Sequence, residues 1–199
     1  MNSQTKVAGV ILAGGRARRM NNQDKGLVRF KGQAMVSYAI AALAPVVDSV
    51  FINANRNLEH YRQLGYPVIS DQTDSFDGPL AGILAAMVHS DADILLVLPC
   101  DSPLIQTRHV QKLLAAYTAN NADAAVAFDG ARSHPVFLAI KRSLQDSLQA
   151  YLSSGQRKVG TWLAQHNPLQ VDFSDEPEIL NNVNTLNELS ILEDTHYLG

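Results

Sequence analysis

Val10-Ile-Leu-Ala-Gly-Gly-Arg-Ala-Arg-Arg-Met20, followed closely by Asp24-Lys25-Gly26, is the stretch around which this chain is organised. The apolar run Val7–Leu12 predicts a fully buried strand. The run breaks on Gly14-Gly15, where missing side chains let the backbone come close to a ligand. Six basic residues and one acid then fall between Arg16 and Lys31, a local charge of +5 in a chain of net charge −3. Bare amides first and positive charge next suit a triphosphate.

The chain has 199 residues, enough for one α/β domain with a substantial core. Its mild acidity argues against general nucleic-acid binding, which wants a basic surface. Cys100 is the only cysteine, so no internal disulfide can form and a reducing compartment fits. The first residues carry no apolar signal segment, and no apolar run approaches the ~20 residues that span a bilayer. The expectation is a cytoplasmic protein with no membrane partner.

Strand-like and helix-like runs alternate along the chain. Strands are expected at Val7–Leu12, 49–54, 67–70 and 94–98, the last being the most apolar and therefore central. Helices are expected at Met35–Leu43, 57–64, 80–89 and 107–120, with Asn57 as an N-cap of the second. Farther on, 122–128 and 135–140 read as strands joined through Asp129-Gly130, a turn signal for an antiparallel pair. Helices at 144–152 and 158–165, a strand at 169–173 and a helix at 185–194, capped by Thr185, complete the reading. The fold class is α/β: one doubly wound domain, mainly parallel, with helices on both faces.

In such sheets ligands bind beyond the carboxyl ends of the strands. The residues just past those ends are Ala13, Gly14 and Gly15; Asn53, Asn55 and Arg56; Asp71; and Cys100 and Asp101. Neither the dinucleotide fingerprint nor the Gly-x-x-x-x-Gly-Lys-Ser/Thr loop is present. Asp101 either caps the turn to Pro103 or holds a divalent cation, and a triphosphate loop nearby favours Mg²⁺. Asp71 is the natural second carboxylate, on metal or on nucleotide. Lys25 and Arg19 would offset phosphate repulsion, worth ~4 kcal/mol per unit-charge pair at ~4 Å and an effective dielectric of ~20. The six histidines show no metal-ligand spacing, and His134, before Pro135, is the only one in a suggestive turn. Cys100 reads as buried packing.

These segments together resemble the molybdenum cofactor guanylyltransferases, within the nucleotidyltransferases that share a Rossmann-like, nucleotide-diphospho-sugar transferase-like core. The resemblance rests on Leu12-Ala-Gly-Gly-Arg-Ala-Arg-Arg-Met20, Asp24-Lys25-Gly26, Asn53-Ala-Asn55-Arg56, Gly78-Pro-Leu-Ala-Gly82, Pro99-Cys-Asp-Ser-Pro103 and Asn182-Val-Asn-Thr185. It implies transfer of GMP from GTP to molybdopterin, with Mg²⁺ and release of pyrophosphate. By position it assigns Leu12, Ala13, Gly14, Gly15, Lys25, Asn53, Asp71 and Asp101 to GTP. It puts the metal on Asp101, gives catalytic roles to Arg19, Lys25 and Asp101, and puts Gly82, Arg157, Asn182 and Asn184 on the pterin or metal side. It implies a GTP-binding part to about residue 105 and a molybdopterin-binding part from about 106 to 199. Molybdoenzymes or their chaperones would receive the product. The family usually carries Gly-Gly after the loop methionine; here Asn21-Asn22 stands there, and asparagine tolerates left-handed backbone.

The sister cytidylyltransferases tend to carry Leu-Ala-Ala-Gly at the first loop, to lack Gly-Pro-Leu-Ala-Gly and to end in an aspartate-rich variant of the last segment. This chain differs from them at all three places. A cytidylyltransferase, a sugar-phosphate nucleotidyltransferase and a nucleotide-binding module without turnover are the alternatives.

Overall fold

The computed structural model describes residues 5–14, 23–72 and 78–195. Gly15, Arg19 and Asn21-Asn22 lie outside the described residues.

Strand β1 (Val7–Leu12) forms as its apolar run predicts. A 3-10 turn at Lys25–Leu27 leads to a small hairpin, β2 (Arg29–Phe30) and β3 (Gln33–Ala34). The hairpin turns on Lys31 and Gly32, both at positive φ. No periodicity announces it, because two-residue strands are too short to alternate. Then come α1 (Met35–Leu43), β4 (Ser49–Asn53), α2 (Leu58–Arg62), β5 (Val68–Ile69) and α3 (Pro79–His89). The second half carries β6 (Ile94–Pro99), α4 (Thr107–Ala119), β7 (Ala124–Phe128), β8 (Ser133–Lys141), α5 (Gln145–Ser153), α6 (Val159–Ala164), β9 (Leu169–Asp172) and α7 (Leu186–Thr195).

Asn57 does not cap α2. It takes left-handed backbone (φ 51°, ψ 32°), makes no cap bond, and gives its side chain to Asp24 instead. A buried carboxylate outcompetes a solvated helix end for the amide. Thr185 does cap α7: its Oγ1 accepts from Glu188 N at 3.1 Å, and the Glu188 carboxylate accepts from the amides of Asn184 and Thr185.

The sheet runs β5-β4-β1-β6-β8-β7-β9. All neighbours pair parallel except β8, which is antiparallel to both β6 and β7. This is the mainly parallel sheet expected, with β6 in the middle. Side chains alternate between two cores. Ile11, Leu96 and Leu98 pack with α1 and α4 on one face; Val10, Leu95 and Val97 pack with α3, α5 and α6 on the other. β6 is buried along its whole length, as a strand covered on both faces must be. Helix α7 joins neither core. With Val183 before it, its Leu189 packs on Phe30 of the hairpin and Met35 of α1. The end of the chain is thereby drawn back beside Lys25. Among the described residues no helix is long and apolar enough to cross a membrane.

At the start of α4, Gln106 N donates to His109 Nδ1 at 3.0 Å, and the other ring nitrogen faces Glu176 Oε2 at 3.3 Å. Burial, with help from Arg108, pushes His109 below the ordinary histidine value. The folded state therefore resists a proton that the unfolded chain accepts below about pH 6.5. Stability from this site is full above that pH and is lost as pH falls through it. Thermal unfolding between pH 7.5 and 5.5 is expected to show a falling Tm, and a His109→Gln variant a shallower slope.

Candidate active site

The strand order reverses between β1 and β6: the chain leaves β1 toward β4 and β5, then returns to the other side. Crevices form at such points. Past the strand ends, Ala13 N donates to Asn53 O at 2.8 Å and Cys100 N to Leu12 O at 3.1 Å, so these segments stay in register beyond the sheet. Leu12 is half-buried, Ala13 is buried and Gly14 is exposed at the rim.

On the β4 side, the Asp71 carboxylate is held by two amides. Asn53 Nδ2 donates to Oδ1 at 2.9 Å and Asn55 Nδ2 to Oδ2 at 2.8 Å, while Asp71 N returns a bond to Asn55 Oδ1 at 2.9 Å. Asn53 is buried, and Gly82 of α3 makes room for it. A Cβ on Gly82 would stand 2.2 Å from Asn53 Oδ1 and 2.9 Å from Leu12 Cδ2. Gly82 therefore packs beneath the Asn53–Asp71 group. It is buried, and its role here is close packing.

On the β6 side, Lys25 Nζ donates to Asp101 Oδ2 at 2.9 Å and to Asn184 Oδ1 at 2.6 Å. Asp101 is buried. Its backbone carbonyl accepts from Val183 N at 2.8 Å, and Ser102 Oγ donates to Asn182 Oδ1 at 3.0 Å. The Asn182-Val-Asn segment is thus strapped onto the turn that carries Asp101. Lys25, Asp101, Asn182 and Asn184 come together from residues up to 159 positions apart.

Asp71 and Asp101 lie on opposite sides of the switch point. They follow β5 and β6, which are three strand spacings apart, roughly 14 Å. Asp71 also has both oxygens taken by amides. Asp101 suits a magnesium ion better: Oδ1 has no hydrogen-bond partner among the described residues, and Mg²⁺ uses one or two carboxylates plus phosphate oxygens and water. No cluster of three or more metal-ligating side chains exists among the described residues.

Lys25 owes its position to its neighbour. Asp24 is 6% exposed, and its carboxylate accepts from Tyr61 Oη at 2.5 Å, Asn57 Nδ2 at 3.0 Å and Gly26 N at 3.3 Å. Arg56 Nε, which is buried without a hydrogen bond, stands 3.6 Å away. Burial pushes the Tyr61 phenol far above its ordinary value, with Cys100 and Asp24 adding to it, so the hydroxyl remains a donor. A Cβ on Gly26 would meet Tyr61 Oη at 2.5 Å. Asp24 lay inside a quoted motif with no role attached. The signal for it was an acid among cations, with Asn57 and Tyr61 four positions apart on one side of a helix.

Cys100 lies beneath Gly26, and burial pushes its thiol well up, which fits packing rather than a nucleophile. Arg157 is exposed in the turn after α5, where Nη1 donates to the carbonyls of Leu152 and Gln156. A groove of about 610 Å³ is lined by Asn182 and Asn184 together with His134 and Val136.

Residues 9–170 match the family model described as a MobA-like NTP transferase domain. Over 180 residues the chain is 49% identical to a molybdenum cofactor guanylyltransferase of Shewanella loihica, covering 90% of this chain and 92% of that one. A protein of the same name from Shewanella baltica is 50% identical over 185 residues, 93% of each chain. Among solved structures, the molybdopterin-guanine dinucleotide biosynthesis protein A of Archaeoglobus fulgidus superposes with a TM-score of 0.79 at 21% identity, over 96% of this chain and 100% of that one. A CMP:2-keto-3-deoxy-manno-octonic acid synthetase complexed with CTP gives 0.74 at 17% identity, over 98% and 99%. These structures share the nucleotidyltransferase fold.

Asp24→Ala would leave the Tyr61 hydroxyl, the Asn57 amide and the Arg56 guanidinium without their acceptor. A loss of about 3 kcal/mol is expected, lowering Tm by about 6–12 °C for a chain of this size. Gly82→Ala is expected to lower Tm in thermal unfolding through the clash with Asn53.

Proposed function

The chain belongs to the MobA-like NTP transferase family and, within it, to the molybdenum cofactor guanylyltransferases; from that premise we propose how its residues carry the transfer of GMP from GTP to molybdopterin. The observation that carries the reading is the Lys25 ammonium between Asp101 and Asn184 at the switch point of the sheet.

GTP lies over Leu12, Ala13 and Gly14, and Gly15 and Arg19, which follow in the sequence, serve its phosphates. Asn53 and the doubly held Asp71 face its nucleoside end, with hydrogen-bonding groups fixed before the ligand arrives. Lys25 reaches the phosphates. Asp101 holds Mg²⁺, which supplies electrostatic stabilisation to the phosphates when bound. Residues to about 105 serve the nucleotide, and those from about 106, including Arg157, Asn182 and Asn184, serve molybdopterin.

An oxygen of the acceptor's terminal phosphate attacks the α-phosphorus of GTP. The new P–O bond forms as the bond to the β-phosphate bridging oxygen breaks, and pyrophosphate leaves. A phosphate monoester has a second pKa of ~6 and is largely dianionic at neutral pH, so no strong general base is needed. Lys25 neutralises charge on the leaving group, and its two acceptors prevent the ammonium from swinging away. Molybdoenzymes or their chaperones in the cytoplasm take the product.

The test is pyrophosphate release measured with GTP or CTP, with and without molybdopterin. Turnover is expected with GTP and molybdopterin together, and equal turnover with CTP would overturn the guanylyl assignment. Lys25→Ala and Asp101→Asn are each expected to lower kcat by about 10²-fold or more, the scale for removing one electrostatic stabiliser. Full turnover of Asp101→Asn at saturating Mg²⁺ would remove Asp101 from the metal.

A further inference from the structure

The groove lined by Asn182 carries a second built polar device, in the β7–β8 hairpin. Asp129 Oδ1 accepts from the amides of Ala131 and Arg132, both at 2.8 Å. Its Oδ2 faces His134 Nε2 at 2.6 Å, and Arg132 Nε stands 3.6 Å from the same oxygen. The bond to His134 and the two amides hold this carboxylate well below the usual range, so it is ionised and can only accept. The proton between the pair therefore sits on Nε2, and Nδ1 is the ring atom left to meet a ligand. His134 is 9% exposed, with Phe137 packed edge-on to it at 6.2 Å. Nδ1 has no partner among the described residues.

The backbone is shaped to place this device. Val126 pairs with Leu138 but Ala127 pairs with His134, so residues 135–137 are extra on β8 and form a bulge. Bulges re-aim side chains next to sites. Here Pro135 and Val136 line the groove with His134, as do Glu178, Asn181 and Asn182 from the later segment.

The geometry points to His134 as a substrate-contact residue that takes a ring N–H of the acceptor's pterin through Nδ1, with Asp129 fixing the tautomer and the ring. This rests on the function proposed above. The groove offers both faces and edges to a flat heterocycle. Its apolar members, Pro135, Val136 and Leu104, offer faces for a ring. Its polar members include the amides of Asn181, Asn182 and Asn184 and the carboxylates of Glu178 and Glu188, which match N–H-bearing edges, while its cation, Arg132, leans on Asp129. The acceptor's phosphate then falls to the Lys25 end, past Asn184.

Two variants separate contact from folding. Gln at 134 keeps a donor near the Nε2 position for Asp129 but has nothing at Nδ1; Asn places its amide near Nδ1 and gives up Asp129. His134→Gln is expected to keep Tm and the KM for GTP within twofold of wild type and to raise the KM for molybdopterin about tenfold. His134→Asn is expected to lower Tm yet raise the molybdopterin KM less than Gln does. An unchanged molybdopterin KM in His134→Gln, or an equal rise in both KM values, overturns the inference while wild-type turnover leaves the function standing. Absence of molybdopterin-dependent turnover in the wild type overturns both.

Discussion

The Lys25 ammonium, shared between the Asp101 carboxylate and the Asn184 amide oxygen, joins three distant parts of the chain at one point. The segment after the first loop, the turn after the middle strand and the strap before the last helix all meet there. A partly buried cation requires such company, since losing one acceptor leaves charge without compensation. Each partner is in turn held by something else. Asp24 fixes the backbone on one side of Lys25, and the backbone bond from Val183 to Asp101 fixes the strap on the other. The small third core of Phe30, Met35, Val183 and Leu189 supplies the apolar area that keeps the strap in place.

The site divides into two halves of different physics. Around Asn53 and Asp71 the groups are neutral amides around one carboxylate, fully bonded and closely packed on Gly82. Such a network presents fixed directions, which suits reading a nucleoside. Around Lys25 and Asp101 the groups are charged and one carboxylate oxygen is left for a ligand. That suits phosphates and an ion. The strands that Asp71 and Asp101 follow lie roughly 14 Å apart, on either side of the switch point.

Periodicity read the sheet well because β1 and β6 are buried on both faces, so burial leaves an uninterrupted apolar run. It read α1 to its ends for a related reason: a helix on a core shows its spacing. It missed the β2–β3 hairpin and misassigned Asn57. In both, the deciding contact is long-range. Lys31 N is held by Glu193 from the last helix, and the Asn57 side chain is held by Asp24.

The order of strands, the residues at their carboxyl ends and the family itself are written locally, in apolar runs and short motifs that need no partner to be legible. Motif and strand-end rules therefore named Lys25, Asn53, Asp71, Asp101, Asn182 and Asn184 before any contact was known. Which of these touch one another is a different kind of information. Gly82 sits under Asn53, Asn184 closes on Lys25 from 159 positions away, and Asp71 stands apart from Asp101 because three strand spacings intervene. Such pairings depend on topology and on the competition of buried polar groups for partners, and neither is encoded in any one stretch of the chain.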